Sequence, residues 1–274
     1  MNVSAISAMV GLSFKDAIRA KWLILYSIVF FLLAVNVPEV TLNVFGASPA
    51  DYITTYLTLL VTLSFPYLPL LALPLGSTSI VEERESGVLQ QLLTNPLSRS
   101  EVLFGRLLGL VAATTAVVVL GYGIAAFVAY GTNVAGYGTI GRLMVIAILL
   151  NLSMVATALF ISVVAKRKVT ALGAAIFLWF IMTVISNLSS TGVIISILKS
   201  PSYLLPLVLL NPVQAASILG LLQLNLSNSQ LGIAMGIEDS LGPSGSSILL
   251  TCLGVWIIFF IVAGMIAFHR QDIN

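Results

Sequence analysis

Apolar residues gather along this chain into long runs separated by short polar breaks, at about 22–37, 52–81, 102–130, 143–165, 169–188 and 247–268. A helix needs about 20 apolar residues to cross the hydrocarbon core of a bilayer, and several of these runs approach or exceed that length. The pattern predicts an all-α membrane protein with six transmembrane helices, built as one domain over residues 1–274. Asn36-Val37-Pro38 closes the first run, and Pro66, Pro69 and Pro74 predict a break or kink in the second.

Two shorter patterns stand apart. In residues 1–21, Val3, Ile6, Val10, Phe14 and Ala17 recur at helical spacing, with Lys15, Arg19 and Lys21 nearby. Such a helix lies on the inner membrane surface, basic side toward anionic headgroups, or simply leads into the first span. Residues 203–224 are apolar but interrupted by Pro206 and Pro212. We read them as a re-entrant or interfacial pair of short helices, because a seventh crossing would place Arg270 outside. With the Gly-, Ser- and Asn-rich residues 225–246 they make 189–246 an outer re-entrant and loop segment.

Composition agrees. The chain is 59% hydrophobic and 8% charged, against about 25% charged in a soluble domain. A net charge of +2 gives no sign of a nucleic-acid partner. One cysteine, Cys252, excludes an intramolecular disulfide and a cysteine-based metal cluster. The basic stretch before the first run resembles a signal peptide, but no A-x-A site follows promptly and five more runs come later, so it is read as a span. With the N-terminus inside, Lys15, Arg19, Lys21, Arg84, Arg99, Arg106, Lys166, Arg167, Lys168 and Arg270 are inner residues, and only Arg142 and Lys199 are outer. By the positive-inside rule both termini face the cytoplasm of a cell membrane.

Several chemistries are missing. No G-x-x-x-x-G-K-[ST] loop is present to hold nucleotide phosphates. Gly242-Pro-Ser244-Gly245 resembles an intramembrane serine-protease motif, but His269 lies 25 residues further along one helix, roughly 37 Å away at 1.5 Å per residue. A nucleophile needs its base within about 3 Å. No metal site is expected, since the methionines in apolar helices read as packing. Glu39, Asp51, Glu238 and Asp239 fall in outer loops, so no span carries the acidic residue an ion-coupled transporter uses.

The most informative stretch is "EERESGVLQQLLTNPLSRSEVLFGRL", residues 82–107. Four charged residues, Glu82, Glu83, Arg84 and Glu85, stand together in a chain that has few. Val88, Leu89, Leu92 and Leu93 follow at helical spacing, and Asn95-Pro96 ends the run. Ser98 and Glu101 have capping-box spacing and start the third span. An apolar face on a short cytoplasmic helix marks a docking element rather than a plain loop.

This stretch resembles the signature of ABC-2 type permeases: Glu83-Arg84-Glu85, then Gly87, Leu89, Leu92, Leu93, Pro96, Ser98, Arg99 and Glu101, with Val88 where Thr is frequent and Arg106 where Lys is frequent. Residues 204–218 and the short basic end look most like the NosY-type branch. That branch supplies a membrane subunit that works with an ATPase and a periplasmic protein in nitrous oxide reductase maturation. The resemblance implies ABC-2 (type V exporter-like) architecture and a dimer of two copies, each resting on a separate ATPase that binds ATP and Mg. This chain then binds no cofactor and is not an enzyme. It also implies that residues 82–101 form the coupling loop, in which Leu89, Leu92 and Leu93 enter an apolar cleft on the ATPase and Glu82–Glu85 make polar contacts at its rim. Gly105-x-x-x-Gly109 allows close helix approach, between copies or within one. For cargo, Thr55, Thr58 and Thr62 share one face of the second span, and Thr183, Ser186 and Asn187 form a polar stretch in the fifth. These either line a path or bond to their own backbone. The rival to a transporter is a membrane scaffold that recruits a soluble partner without moving cargo.

Overall fold

The computed structural model describes residues 3–44, 51–89, 98–131, 133, 136–190, 205–224 and 242–270. In order the helices are α1 (Val3–Arg19), α2 (Lys21–Asn43), α3 (Tyr52–Glu85), α4 (Arg99–Tyr130), α5 (Tyr137–Val164), α6 (Lys168–Ser190), α7 (Leu205–Leu209), α8 (Pro212–Leu222) and α9 (Gly245–Arg270). Six of them, α2–α6 and α9, are long and apolar enough to span a bilayer. The all-helical, six-span expectation holds among the described residues. Residues 203–224 do not add a seventh, since α7 and α8 are too short to cross.

The spans differ in how much of them the chain covers. About two-thirds of the apolar part of α3 (67%) and of α5 (61%) is buried, against 28% of α2 and 22% of α6 and of α9. Thus α3 and α5 form the core, while α2, α6 and α9 offer their outer faces to lipid or another subunit. The α3–α5 contact is close because Gly76 carries no side chain: a Cβ there would lie 2.6 Å from the Cβ of Ala158. One turn further on, the Ser162 hydroxyl accepts from the backbone N–H of Ile80 and Val81 at 2.9 and 3.0 Å.

The prolines do not break the helices as expected. The first span runs through Pro38 to Asn43, and α3 is continuous through Pro66, Pro69 and Pro74. A helical proline leaves the carbonyl four residues earlier without its donor, and two of these carbonyls find donors elsewhere. Leu70, freed by Pro74, accepts from Trp22 Nε1 at 2.9 Å. Ala34, freed by Pro38, lies 3.5 Å from the buried Tyr56 hydroxyl, which is 3.2 Å from the Ala125 carbonyl. At these two positions donors from other helices stand in for the lost ladder bonds.

α1 is separate from α2, with extended backbone at Ala20 between them. Its buried stripe is Met9, Ser13 and Ala17, and it packs along the start of α4. A Cβ at Gly105 would meet the Cβ of Met9 at 2.4 Å, and one at Gly109 that of Ser13 at 2.4 Å. The Gly105-x-x-x-Gly109 motif therefore serves packing within the chain, under α1.

α8 is buried along nearly its whole length. Asn211 begins it by accepting from Val213 and Gln214 N–H at 3.0 and 3.4 Å, and donates Nδ2 to the Met182 carbonyl of α6 at 2.8 Å. Pro212 then occupies the first helical position, where its missing N–H costs nothing. The Cys252 thiol of α9 donates to the Leu209 carbonyl at 2.7 Å.

Candidate functional site

The 82–85 cluster lies within the last helical turn of α3 rather than in a loop. It stands at one end of the bundle, with the start of α4, the end of α5, the start of α6 and the end of α9. Its charged side chains reach α4, the end of α5, the start of α6 and, through Arg106, α1. Glu83 is turned inward, 9% exposed, and forms an ion pair with Arg106 of α4, itself 5% exposed. Arg106 also pairs with Asp16 of α1 at 3.1 Å. The triad joins α1, α3 and α4.

Arg84 and Glu85 clasp the α5–α6 turn from both sides. Arg84 donates Nη1 to the Val163 carbonyl at 3.2 Å and Nη2 to the Ala165 carbonyl. These are among the carbonyls that the end of α5 leaves without helical donors, and a cation there also complements the negative end of the helix dipole. Glu85 Oε1 accepts from the Lys168 N–H at 3.1 Å, the first of the four donors that α6 leaves open. Glu82 adds an exposed pair with the Lys168 ammonium at 2.8 Å. Across the same end, Arg99 donates to the Phe268 and His269 carbonyls of α9, both at 3.0 Å.

Gly87 ends this arrangement. Its φ of 74° lies in the left-handed region that a side chain disfavours, and it turns the chain out of α3. Val88 is exposed beyond it, but Leu89 is fully buried. Leu89 was expected to face a partner; it packs in this chain's own core instead, because the turn at Gly87 points it back toward the bundle. Leu92 and Leu93 lie outside the described residues. The chain resumes at Ser98, and the expected capping box is formed: Ser98 Oγ accepts from Glu101 N–H at 3.3 Å, and Glu101 Oε2 from Ser98 N–H at 2.9 Å.

The two polar stretches considered for cargo are on neighbouring spans, joined where Trp179 Nε1 of α6 donates to the Pro66 carbonyl of α3 at 2.9 Å. Thr62 and Tyr67 are exposed and Thr55 half-buried, whereas the Thr58 hydroxyl donates to its own helix at Thr54, 2.8 Å away. Ser186 is turned to α8, donating to Gln214 Oε1 at 2.5 Å. It anchors that helix. Thr183 Oγ1 is buried and Asn187 exposed.

Sequence reasoning passed over Asp16 and placed Arg106 in the signature without naming its partners. A signal existed for each: Asp16 is the one acidic residue of α1, and Arg106 lies two turns inside an apolar helix, where a charge needs a partner.

Residues 8–273 match the model of a family described as "ABC-2 family transporter protein". The chain belongs to this family. As an ABC-2 permease it is similar, at 30% identity over 265 residues, to a probable ABC transporter permease protein NosY of Stutzerimonas stutzeri, covering 94% of this chain and 95% of the relative. A probable NosY permease of Pseudomonas aeruginosa is also 30% identical, over 261 residues covering 91% of this chain and 90% of that protein. The protein is thus a NosY-like, multi-pass ABC-2 permease. A permease of an ABC transporter implies an ATPase partner.

Proposed function

We propose that two copies of this permease form the membrane part of the transporter, and that a separate ATPase, carrying ATP and Mg, drives each copy through the coupling segment 86–95. The charged end faces the cytoplasm of the cell membrane, in keeping with the ten-to-two division of basic residues. The permease subunit performs no catalysis. Leu92 and Leu93 dock on the ATPase, and movement of that segment is transmitted rather than absorbed.

One observation carries this reading: the segment springs from a helix end whose side chains are fastened to four other helices. Glu83 holds α4 and α1 through Arg106, while Arg84 and Glu85 hold the α5–α6 turn. A push on Gly87 therefore reaches four other helices through ionic or charge-assisted bonds, which are about twice as strong as neutral ones. The cluster serves as a lever root within the chain, and the rim contacts with the ATPase are left to exposed Glu82 and Glu85.

The output is export or mechanical transmission across the membrane. The exposed Thr62 and Tyr67 of α3 support a polar path closed by the second copy, because hydroxyls in lipid turn toward protein or water. The likeness to NosY permeases supports a place in copper-enzyme maturation with a periplasmic accessory protein.

Replacing Leu92 and Leu93 with Asp tests the docking. Each buried Leu contributes about 1.5–3 kcal/mol, and burying unpaired carboxylates adds to the loss. We expect co-purification with the ATPase to fall by orders of magnitude, while the thermal stability of the permease alone is unchanged. Normal ATPase binding by the double variant, or collapse of the isolated permease, would show that the segment packs within the chain.

A further inference from the structure

Opposite the charged end, a groove of about 400 Å³ runs between the start of α5, the end of α8 and the start of α9. Arg142, Gln223 and Ser246 are its polar lining, and Val145 and Leu250 belong to its apolar lining. Two glycines on α5 keep it open: a Cβ at Gly138 or Gly141 would have nothing within 4 Å. Val145 and Leu250 are exposed, so the groove faces out of the bundle toward lipid.

Level and charge narrow the choice of occupant. The hydrocarbon core takes about 20 helical residues. Counted back from Ser162, beside the charged end where Arg84 holds Val163, that length of α5 reaches Arg142. The guanidinium therefore stands at the far headgroup level, with Val145 deeper along α5 and Leu250 deeper along α9. Arg142 is exposed, its hydrogen bond to the Thr139 hydroxyl is long at 3.4 Å, and no carboxylate lines the groove. An occupant must bring an anionic oxygen to Arg142, hydroxyls to the Gln223 amide and the Ser246 hydroxyl, and hydrocarbon to the deeper part. A single phospholipid meets all three demands. A headgroup with its own ammonium brings a second cation toward Arg142, with no acidic group in the lining to receive it.

We infer that this groove binds an anionic phospholipid with a hydroxylated headgroup, of the phosphatidylglycerol type. Its phosphate accepts from Arg142, and an acyl chain lies over Gly141 against Val145 and Leu250. The bound lipid closes the seam between α5, α8 and α9.

The test uses the full chain in nanodiscs of mixed phosphatidylglycerol and phosphatidylcholine, and the lipids retained after release from the disc are identified by native mass spectrometry. Both leaflets are alike, so the result is independent of the orientation and the ATPase docking proposed above. The most firmly retained lipid should be phosphatidylglycerol, enriched about fivefold over phosphatidylcholine, as expected for one basic residue near an anionic headgroup. Arg142→Gln should abolish that enrichment, whereas Arg167→Gln, an exposed charge at the other end, should leave it unchanged. Gly141→Leu, which fills the groove and favours the helix, should abolish it with Arg142 intact. Equal retention of the two lipids, or an unchanged preference in Arg142→Gln, would overturn the proposal. A preference that survives Gly141→Leu would overturn it by placing the lipid on the general surface. Displacement of the lipid by glycerophosphoglycerol, the same headgroup without acyl chains, at the concentration where the lipid itself competes would make a free phosphate diester the ligand. Disulfide formation between copies through Gly141→Cys, in a Cys252→Ser background, would show that a second copy covers the groove and would overturn the proposal too.

Discussion

At the charged end of the bundle, helix termini are tied together by ionised side chains; at the opposite end, α8 is held by neutral amides and hydroxyls. Glu83, Arg84, Glu85, Arg99 and Arg106 make the first set of ties. Asn211, Gln214 and Ser186 make the second. The difference follows from surroundings. The charged end leaves the apolar layer, so exposed members such as Glu82 and Lys168 stay hydrated and only the Glu83–Arg106 pair pays for desolvation. α8 is buried along nearly its whole length, where an unpaired charge is far costlier than an amide. Ionic ties join helix ends where the spans leave the apolar layer. Neutral ties fix a short helix in place.

Breaking the buried ionic tie should have the largest effect. Removing Glu83 alone (Glu83→Leu) leaves the buried Arg106 with only the exposed Asp16 as a partner, and loss of one partner of a buried pair costs about 3–5 kcal/mol. The double variant Glu83→Leu/Arg106→Leu should recover much of that, as paired replacement by apolar residues is often near neutral. Chemical unfolding of the purified permease checks both. If the double variant is as unstable as the single, the tie acts through something other than its charge.

The amide tie should be weaker. Asn211→Ala removes the α8 cap, which typically contributes about 1 kcal/mol, together with the bond to Met182. A total loss of about 1–2 kcal/mol is expected, with increased amide hydrogen exchange confined to α8 and its neighbours. A loss equal to that of Glu83→Leu would erase the distinction between the two ends.

The smallest effect sharpens the contrast between buried and exposed charge. Glu82→Gln breaks only the exposed pair with Lys168, and such pairs contribute about 0–1 kcal/mol. The shift in thermal midpoint should be small and should vanish in high salt. A large, salt-insensitive loss would mean that Glu82 belongs with the buried triad.

Much of this architecture is readable along the chain. The six spans follow from run length against bilayer thickness, which is a local property. The Ser98–Glu101 capping box is equally local, needing only four consecutive residues. The interruption at Pro206 and Pro212 was enough to anticipate two short helices in place of a seventh span. The signature at 82–101 identified the family, because its spacing is a one-dimensional pattern.

Tertiary structure decided what those residues touch. The sequence shows that Glu82–Glu85 are clustered, but not that their partners lie on α1, α4, α5 and α6, some 80 residues away for the α5–α6 turn. It offers Gly105 and Gly109 as a contact motif without saying that α1 covers them. It marks the prolines as breaks, yet Trp22 and Tyr56 supply donors from other helices and the spans continue. Leu89 looks like an exposed anchor until the turn at Gly87 carries it into the core. Hydrophobic length and capping are settled between neighbours in the chain. Which buried charge or carbonyl meets which donor is settled only when distant helices are brought side by side, because the cost of leaving such groups unpaired selects the packing.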